Sequence, residues 1–316
     1  MKYTIKNEYL KAEISELGAT LTKLIDKNSG VDLVLGFDSD EDYIRYNDCN
    51  IGATIGRNSN RIGNSRFTLN GKEYVLNANN NMNNLHGGGF NGFGFKMWKT
   101  DEVDDNHITL SYFSKDGEEG FPGNLNISVT YSLNENNLLF EFEGESDEDT
   151  IFNITNHSYF TLGDDTILDD ELLITTDKYS PTDEYALTLD EVRDVKGTPY
   201  DFTQFRKLND NLSKLEAGID NNYVWETIGD KLMTQFRNDK LQLNLYSDLP
   251  DMHLYTAYYL GGQEGKYGKI YKPFNGLAME SQYYPNGINY GNKHLLPILK
   301  KGEKMSHFIR YEIINL

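Results

Sequence analysis

Runs of alternating apolar and polar residues, closed by tight turns rich in Asn and Gly, constrain this chain more than any other feature. Phe67 and Leu69 lead into Asn70-Gly71, and Glu73-Tyr74-Val75-Leu76 follows. Asn-Gly between two such runs predicts a β-hairpin, because both residues tolerate the positive φ of a type I′ turn. Leu125, Ile127, Val129, Tyr131 and Leu133 recur at period two. Asn134-Glu135-Asn136-Asn137 then turns the chain, and Leu139-Phe140-Glu141-Phe142 returns. A period of two gives a strand one apolar face and one polar face. Further strands are expected over 108–113, 241–246, 253–260 and 307–313. The chain holds 22 Tyr and 16 Phe, side chains suited to a pleated, half-buried surface. Helical spacing is confined to Phe205, Leu208, Leu212, Leu215 and Ile219, which predict one short helix. Strand and helix patterns do not alternate in βαβ units of about 30 residues, which argues against a parallel α/β fold. The expectation is an all-β protein, a large antiparallel β-sandwich with few short helices. No repeat, linker or composition break divides it, so one domain over residues 1–316 is expected.

Charge and cysteine content narrow the functional classes. Lys and Arg total 30 against 49 Asp and Glu, a formal charge of −19. Such a surface repels phosphate backbones unless a basic stripe interrupts it. The nearest basic segment, Lys300-Lys301-Gly302-Glu303-Lys304, is short and contains an acid, so no nucleic-acid partner is expected. The single cysteine, Cys49, excludes an internal disulfide and a cysteine-based zinc cluster. No stretch approaches the roughly 20 apolar residues of a membrane helix, and no apolar run follows the charged start. A soluble cytoplasmic protein, with no membrane partner, is the expectation.

Candidate site residues are few. Gly87-Gly88-Gly89-Phe90-Asn91-Gly92-Phe93-Gly94 matches neither the dinucleotide nor the P-loop pattern, so it reads as a tight loop whose backbone needs positive φ or close approach. His86 stands at its lip. His157 lies in Asn153-Ile154-Thr155-Asn156-His157-Ser158-Tyr159-Phe160, among polar and aromatic residues that suit a small polar ligand. No His-Glu-x-x-His and no close histidine pair occurs in the sequence, so a metal site is not expected. His107, His253, His294 and His307 read as solvated. Glu280 follows the apolar run Leu277-Ala278-Met279, and a carboxyl at the buried end of a strand gains proton affinity, as a general base near neutral pH requires. Asp220 reads by default as a turn residue. Arg57 and Arg61, four residues apart, read either as forked donors to a ligand or as surface ion pairs.

Six segments occur in one order: Gly56-Arg57-Asn58-Ser59-Asn60-Arg61-Ile62, Leu85-His86-Gly87-Gly88, Asp116-Gly117-Glu118-Glu119-Gly120-Phe121-Pro122-Gly123, Asn156-His157-Ser158-Tyr159-Phe160, Gly197-Thr198-Pro199-Tyr200-Asp201-Phe202 and Glu280-Ser281-Gln282. The series resembles the aldose 1-epimerase (galactose mutarotase) family over nearly the whole chain. Departures from the family pattern fall at Thr161 and Ala257. The resemblance implies a galactose-mutarotase-type sandwich, a free hexose substrate, no cofactor and no metal, and a monomer or homodimer. It implies interconversion of the α and β anomers of galactose or glucose. Glu280 would take the proton of the C1 hydroxyl, His157 would protonate the ring oxygen, and His86 would stand beside that oxygen as a second donor. Arg61, Asp220 and Asn60 would hydrogen-bond sugar hydroxyls, and Tyr159, Phe160, Tyr283 and Tyr284 would offer rings for stacking.

Ring opening needs one proton removed and one delivered at oxygens about 2–3 Å apart, so a base and an acid must act together. A carboxyl of raised proton affinity and an imidazole both exchange protons near neutral pH. Two relatives of the fold compete with this reading. A hexose-6-phosphate mutarotase would need an Arg/Lys cluster for the phosphate, and a non-catalytic sugar-binding protein would not need both Glu280 and His157.

Overall fold

The structure is a computed structural model describing residues 1–291 and 293–316. The predicted Asn-Gly hairpin forms between Arg66–Leu69 and Lys72–Val75, with Asn70 at φ 52° and Gly71 at φ 77° in its turn. The period-two run becomes the strand Leu125–Asn134, and the return strand is Asn137–Ser146, with Leu133 opposite Leu138.

These two strands stand within a nine-stranded sheet. Its spatial order is Arg206–Lys207, Glu171–Ile174, Lys231–Arg237, Leu241–Ser247, Lys304–Asn315, Asn137–Ser146, Leu125–Asn134, His107–Ser114 and Lys99–Val103. A six-stranded sheet follows the order Tyr159–Phe160, Leu277–Gln282, Asp251–Tyr255, Asp220–Val224, Lys178–Ser180 and Arg193–Asp194. A third sheet holds Lys2–Lys6, Leu10–Ser15 and Thr20–Asp26. Every strand pair in the three sheets is antiparallel.

The main core lies between the two larger sheets. Val129, Phe140, Phe142, Ile309 and Tyr311 of one join Phe160, Met252, Leu254, Leu277 and Met279 of the other in a single apolar cluster. Burying each such side chain stabilises the fold by roughly 1.5–3 kcal/mol. Phe160 and Tyr311 meet with ring centroids 4.3 Å apart, and the Tyr311 hydroxyl donates to the Met279 carbonyl at 3.0 Å. Alternation therefore sorts the six-stranded sheet into two faces. Leu277 and Met279 point to the core, whereas Ala278 packs in a separate cluster with Tyr159 and Leu35. Glu280 shares the face of Ala278.

The described residues form three short helices: Asp40–Tyr46, Leu208–Leu212 and Gly287–Tyr290. The helix expected across Phe205 to Ile219 spans only Leu208–Leu212. Upstream, Arg206–Lys207 is drawn into pairing with Glu171–Leu172, and downstream Gly218 takes φ +71°. The strand expected over 253–260 runs instead over Asp251–Tyr255, because Ala257 adopts φ 53° and turns the chain so that the Leu260 N–H reaches its carbonyl. No helix among the described residues is long and apolar enough to cross a membrane.

Candidate active site

A cleft of about 400 Å³ opens on the outer face of the six-stranded sheet, lined among others by Arg61, His86, His157, Asp220, His253 and Glu280. Strand register brings three of these together. Glu280 is the Cα partner of His253, His253 that of Asn222, and Asp220 that of Tyr255. Because side chains alternate, Glu280, His253 and Asp220 all project to the same side.

Loops supply the remaining groups. The main chain enters His157 through Thr155–Asn156, paired with Thr54–Ile55. The Asn156 side chain holds the turn, donating to the Gly52 carbonyl at 2.9 Å and accepting from the Ser158 hydroxyl at 2.6 Å. Tyr159 stacks on the His157 ring with centroids 5.1 Å apart and planes at 17°. The motif around His157 is thus a clamp on one imidazole.

His86 adopts φ 54°, a left-handed conformation that few residues take without cause. Gly87 follows at φ +71°, where a Cβ atom would lie 2.1 Å from the Gly56 carbonyl oxygen. The glycine run accordingly marks close backbone approach, with Gly87 and Gly88 buried. His86 Nδ1 accepts the Asn60 backbone N–H at 3.2 Å, so its ring proton resides on Nε2. The His86 ring meets His157 edge-on, with centroids 5.1 Å apart.

His157 Nε2 and Glu280 Oε1 stand 3.4 Å apart, with side chains 6% and 2% exposed. Burial raises the Glu280 carboxyl well above the usual carboxylate range and lowers His157 to about 4. Burial also drives His86 well below the usual imidazole range, leaving it a neutral donor. Asp220 moves the other way: burial would raise it, but the hydrogen bond and charge of His253 bring it below the usual range. Arg61 Nε donates to Asn80 Oδ1 at 3.0 Å, and Asn60 Oδ1 accepts the Arg61 N–H at 2.7 Å.

All six residues expected at a sugar site, Glu280, His157, His86, Arg61, Asp220 and Asn60, line this one cleft. His253 lines it too, and the expectation of a solvated ring at this position is overturned: His253 is 2% exposed and bonded to Asp220. His307 is likewise buried, against Tyr283, and His294 is half-buried, stacked on Tyr284. Alternation could have found His253, since Met252 and Leu254 take the apolar face and leave it on the other. Asp220 opens a strand and is not a turn residue.

Of the aromatic residues expected to stack on sugar, Tyr159 lines the cleft. Phe160 faces the core instead, Tyr283 packs on His307, and Tyr284 stacks on His294 at 3.6 Å. Arg57 is neither a ligand donor nor a surface ion pair. It is 1% exposed, and its guanidinium donates to Ser114 Oγ and to the carbonyls of Ser114, Lys115, Pro122 and Gly123, with Thr150 Oγ1 completing the set. The Asp116–Gly123 motif therefore helps to build a carbonyl cage for Arg57.

Although distant in sequence, His86, His157 and Glu280 bring potential ligand atoms within 4.8 Å of one another. A divalent cation there would need the Nε2 lone pair of His86, and so the loss of the Asn60 N–H bond that fixes the proton on Nε2. The residues as arranged fit proton transfer better than metal ligation.

A family model described as aldose 1-epimerase matches residues 1–312. A galactose mutarotase from pig (Sus scrofa) is 35% identical over 97% of this chain and 92% of its own length. An aldose 1-epimerase from Escherichia coli is 31% identical, covering 84% of this chain and 80% of the relative. The crystal structure of an aldose epimerase homologue from C. elegans superposes with a TM-score of 0.93 at 30% identity, covering 100% of this chain and 99% of that one.

Proposed function

The chain belongs to the aldose 1-epimerase family, and we propose that it performs the family's reaction with Glu280 as general base and His157 as general acid. The protein is an isomerase that interconverts sugar anomers, and its fold is that of the galactose mutarotases. The observation that carries the assignment is the 3.4 Å separation of His157 Nε2 and Glu280 Oε1 at the buried wall of an open cleft. That spacing suits the two oxygens that share C1 of a cyclic hexose.

In this reading Glu280 takes the proton of the C1 hydroxyl while His157 gives a proton to the ring oxygen. The C1–O5 bond breaks and a C1 carbonyl forms. Rotation about C1–C2 presents the other face, and closure returns both protons. His86, neutral with its proton on Nε2, donates to the ring oxygen. Arg61 donates to sugar hydroxyls and Asp220 accepts from them. Asn60 acts chiefly through its main chain, which sets the His86 tautomer.

Burial pushes Glu280 up and His157 down, so the empty pair holds one proton, on the carboxyl. The working form carries the same proton on His157, and the total charge of the pair does not change. A C1 hydroxyl donating to the carboxylate stabilises that form. Arg61, whose charge lowers Glu280, acts in the same direction.

Free hexoses fit better than phosphorylated ones. Arg61 is the one Lys or Arg lining the cleft among the described residues, whereas Asp48, Glu184, Asp220 and Glu280 supply acids. The reading treats residues 1–316 as one domain, since its main core runs from Ile5 to Ile313. It also places the protein in the cytoplasm, in keeping with one cysteine and an acidic surface.

Polarimetry on freshly dissolved α-D-galactose and α-D-glucose tests the proposal. Catalytic amounts of the protein should speed the approach to an unchanged final rotation. A rate equal to the buffer blank with both sugars, from folded protein, overturns it.

A further inference from the structure

We propose that His253 is a positioning residue for sugar binding: it fixes one oxygen of Asp220 and so turns the other toward the cleft. The inference rests on the reading of Asp220 as a sugar-binding residue.

His253 occupies the centre of its strand, with Glu280 as Cα partner on one side and Asn222 on the other. Its ring reaches diagonally across the strand pair, and Nε2 lies 2.6 Å from Asp220 Oδ1. The two side chains differ in exposure, 2% for His253 against 30% for Asp220. The buried partner therefore holds the accessible one. With Oδ1 engaged, Oδ2 is the atom that Asp220 can offer to a hydroxyl. A carboxylate only accepts, so His253 Nε2 carries the proton.

The alternative for Asp220 is unfavourable. A carboxyl withdrawn from water at the cleft wall gains a proton unless something stabilises its charge. The His253 hydrogen bond is the largest effect opposing that burial. A protonated Asp220 would donate through its O–H and a rotated one would aim its acceptor elsewhere, and in either case the hydroxyl opposite would lose its partner. The groups facing the His253–Asp220 pair are Glu280, Asn222, Tyr255, His157, His86 and Arg61. Arg61 and His157 add to the stabilisation of ionised Asp220.

The test compares His253→Leu, which removes the donor, with His253→Gln, whose amide N–H can still reach Asp220. Polarimetry gives kcat and KM for galactose from pH 5 to 9, and calorimetric titration gives its Kd. In His253→Leu, KM and Kd should rise at least tenfold while kcat stays within threefold. Binding should also weaken as pH falls, because burial of the Asp220 carboxyl, no longer opposed by the His253 hydrogen bond, favours its protonated form. His253→Gln should return KM and Kd to within threefold of wild type.

A folded His253→Leu protein with unchanged KM and Kd overturns the proposal. So does a loss confined to kcat, or a His253→Gln protein that binds no better than the leucine variant. Should His253→Leu fail to fold, the imidazole Nε2 proton resonance of the wild type decides: its strong downfield shift must vanish in Asp220→Asn, and its persistence overturns the pairing. Wild type that binds galactose without speeding mutarotation sinks the epimerase mechanism but leaves the Kd comparison to judge His253. Wild type that binds neither galactose nor glucose overturns both.

Discussion

His157 and Glu280 present Nε2 and Oε1 to each other at 3.4 Å, while His157 Nδ1 and Glu280 Oε2 have no hydrogen-bond partner among the described residues. A buried acid and base so placed titrate as one unit, and their apparent pKa values belong to the pair. Over a wide range of pH the pair keeps a single proton.

That arrangement predicts the pH profile of kcat/KM. On the acid side, a second proton on the pair abolishes the base, and His157 takes it up at about 4. On the alkaline side, activity falls when the last proton leaves Glu280, well above the ordinary carboxylate range. A plateau through the neutral region is expected, with the acid limb below the ordinary imidazole range. An acid limb centred at an unperturbed histidine value of about 6.5 would contradict it.

Removing either member of the pair should lower kcat by about 10²–10⁴-fold, the usual worth of one positioned acid or base. Glu280→Gln and His157→Ala are the variants, assayed by polarimetry with circular dichroism as a check on folding. The double variant should lose little more than the worse single one, since the two residues share one proton-transfer cycle. Fully multiplicative losses would show that they act in separate steps.

Phosphorylated hexoses should be poor substrates. With Arg61 set among Asp48, Glu184 and Asp220 around the cleft, a phosphate dianion meets net negative charge. We expect kcat/KM for galactose 6-phosphate to fall about 100-fold or more below that for galactose, measured in one buffer at one ionic strength. Equal values would point to a basic phosphate site that the cleft does not display.

Period-two patterning made the hairpins at Asn70-Gly71 and 134–137 legible, and the apolar run Leu277-Ala278-Met279 foretold Glu280 at a buried strand position. For His253, alternation could reveal the face but not the partner, since nothing in the residues beside it points to a diagonal acceptor on another strand. The meeting of His86 with His157 was implied by the family resemblance alone and not by the residues themselves, since it depends on a left-handed turn closing over Gly56. Arg57 shows the converse failure. Two arginines four residues apart look alike in sequence, yet one is enclosed by carbonyls of the 114–123 segment and the other lines the cleft. Tyr283 and Tyr284 looked like sugar platforms until the fold placed His307 and His294 against them.

Arg57 makes a prediction about stability. Its side chain donates to four carbonyls and two hydroxyls, all of which would lose a charged donor in Arg57→Met. Each abandoned buried acceptor costs about 1–3 kcal/mol before relaxation, so a total of at least roughly 3 kcal/mol is expected. Arg57→Lys should recover only part, because one ammonium cannot reproduce the planar fork. Denaturant unfolding gives the comparison, and a methionine variant within 1 kcal/mol of wild type, on the scale of an ordinary surface substitution, would contradict the cage.

Asp251 links stability to pH in the direction opposite to a salt-bridged acid. It is buried, and although Asn222 donates to its Oδ2 at 3.1 Å, burial pushes the carboxyl up to about 7. The unfolded chain releases this proton near 3.9, so between about 4 and 7 the folded state holds more protons than the unfolded one. Stability then falls as pH rises through that window and levels off above it. Asp251→Asn removes the titration while keeping a group of the same shape. The variant should therefore gain on wild type between pH 5 and pH 8, by about 2–3 kcal/mol or roughly 3–5 °C in Tm. Thermal unfolding of both proteins at the two pH values is the measurement. A difference in Tm between them that stays constant from pH 5 to pH 8 would show that Asp251 titrates at an ordinary value.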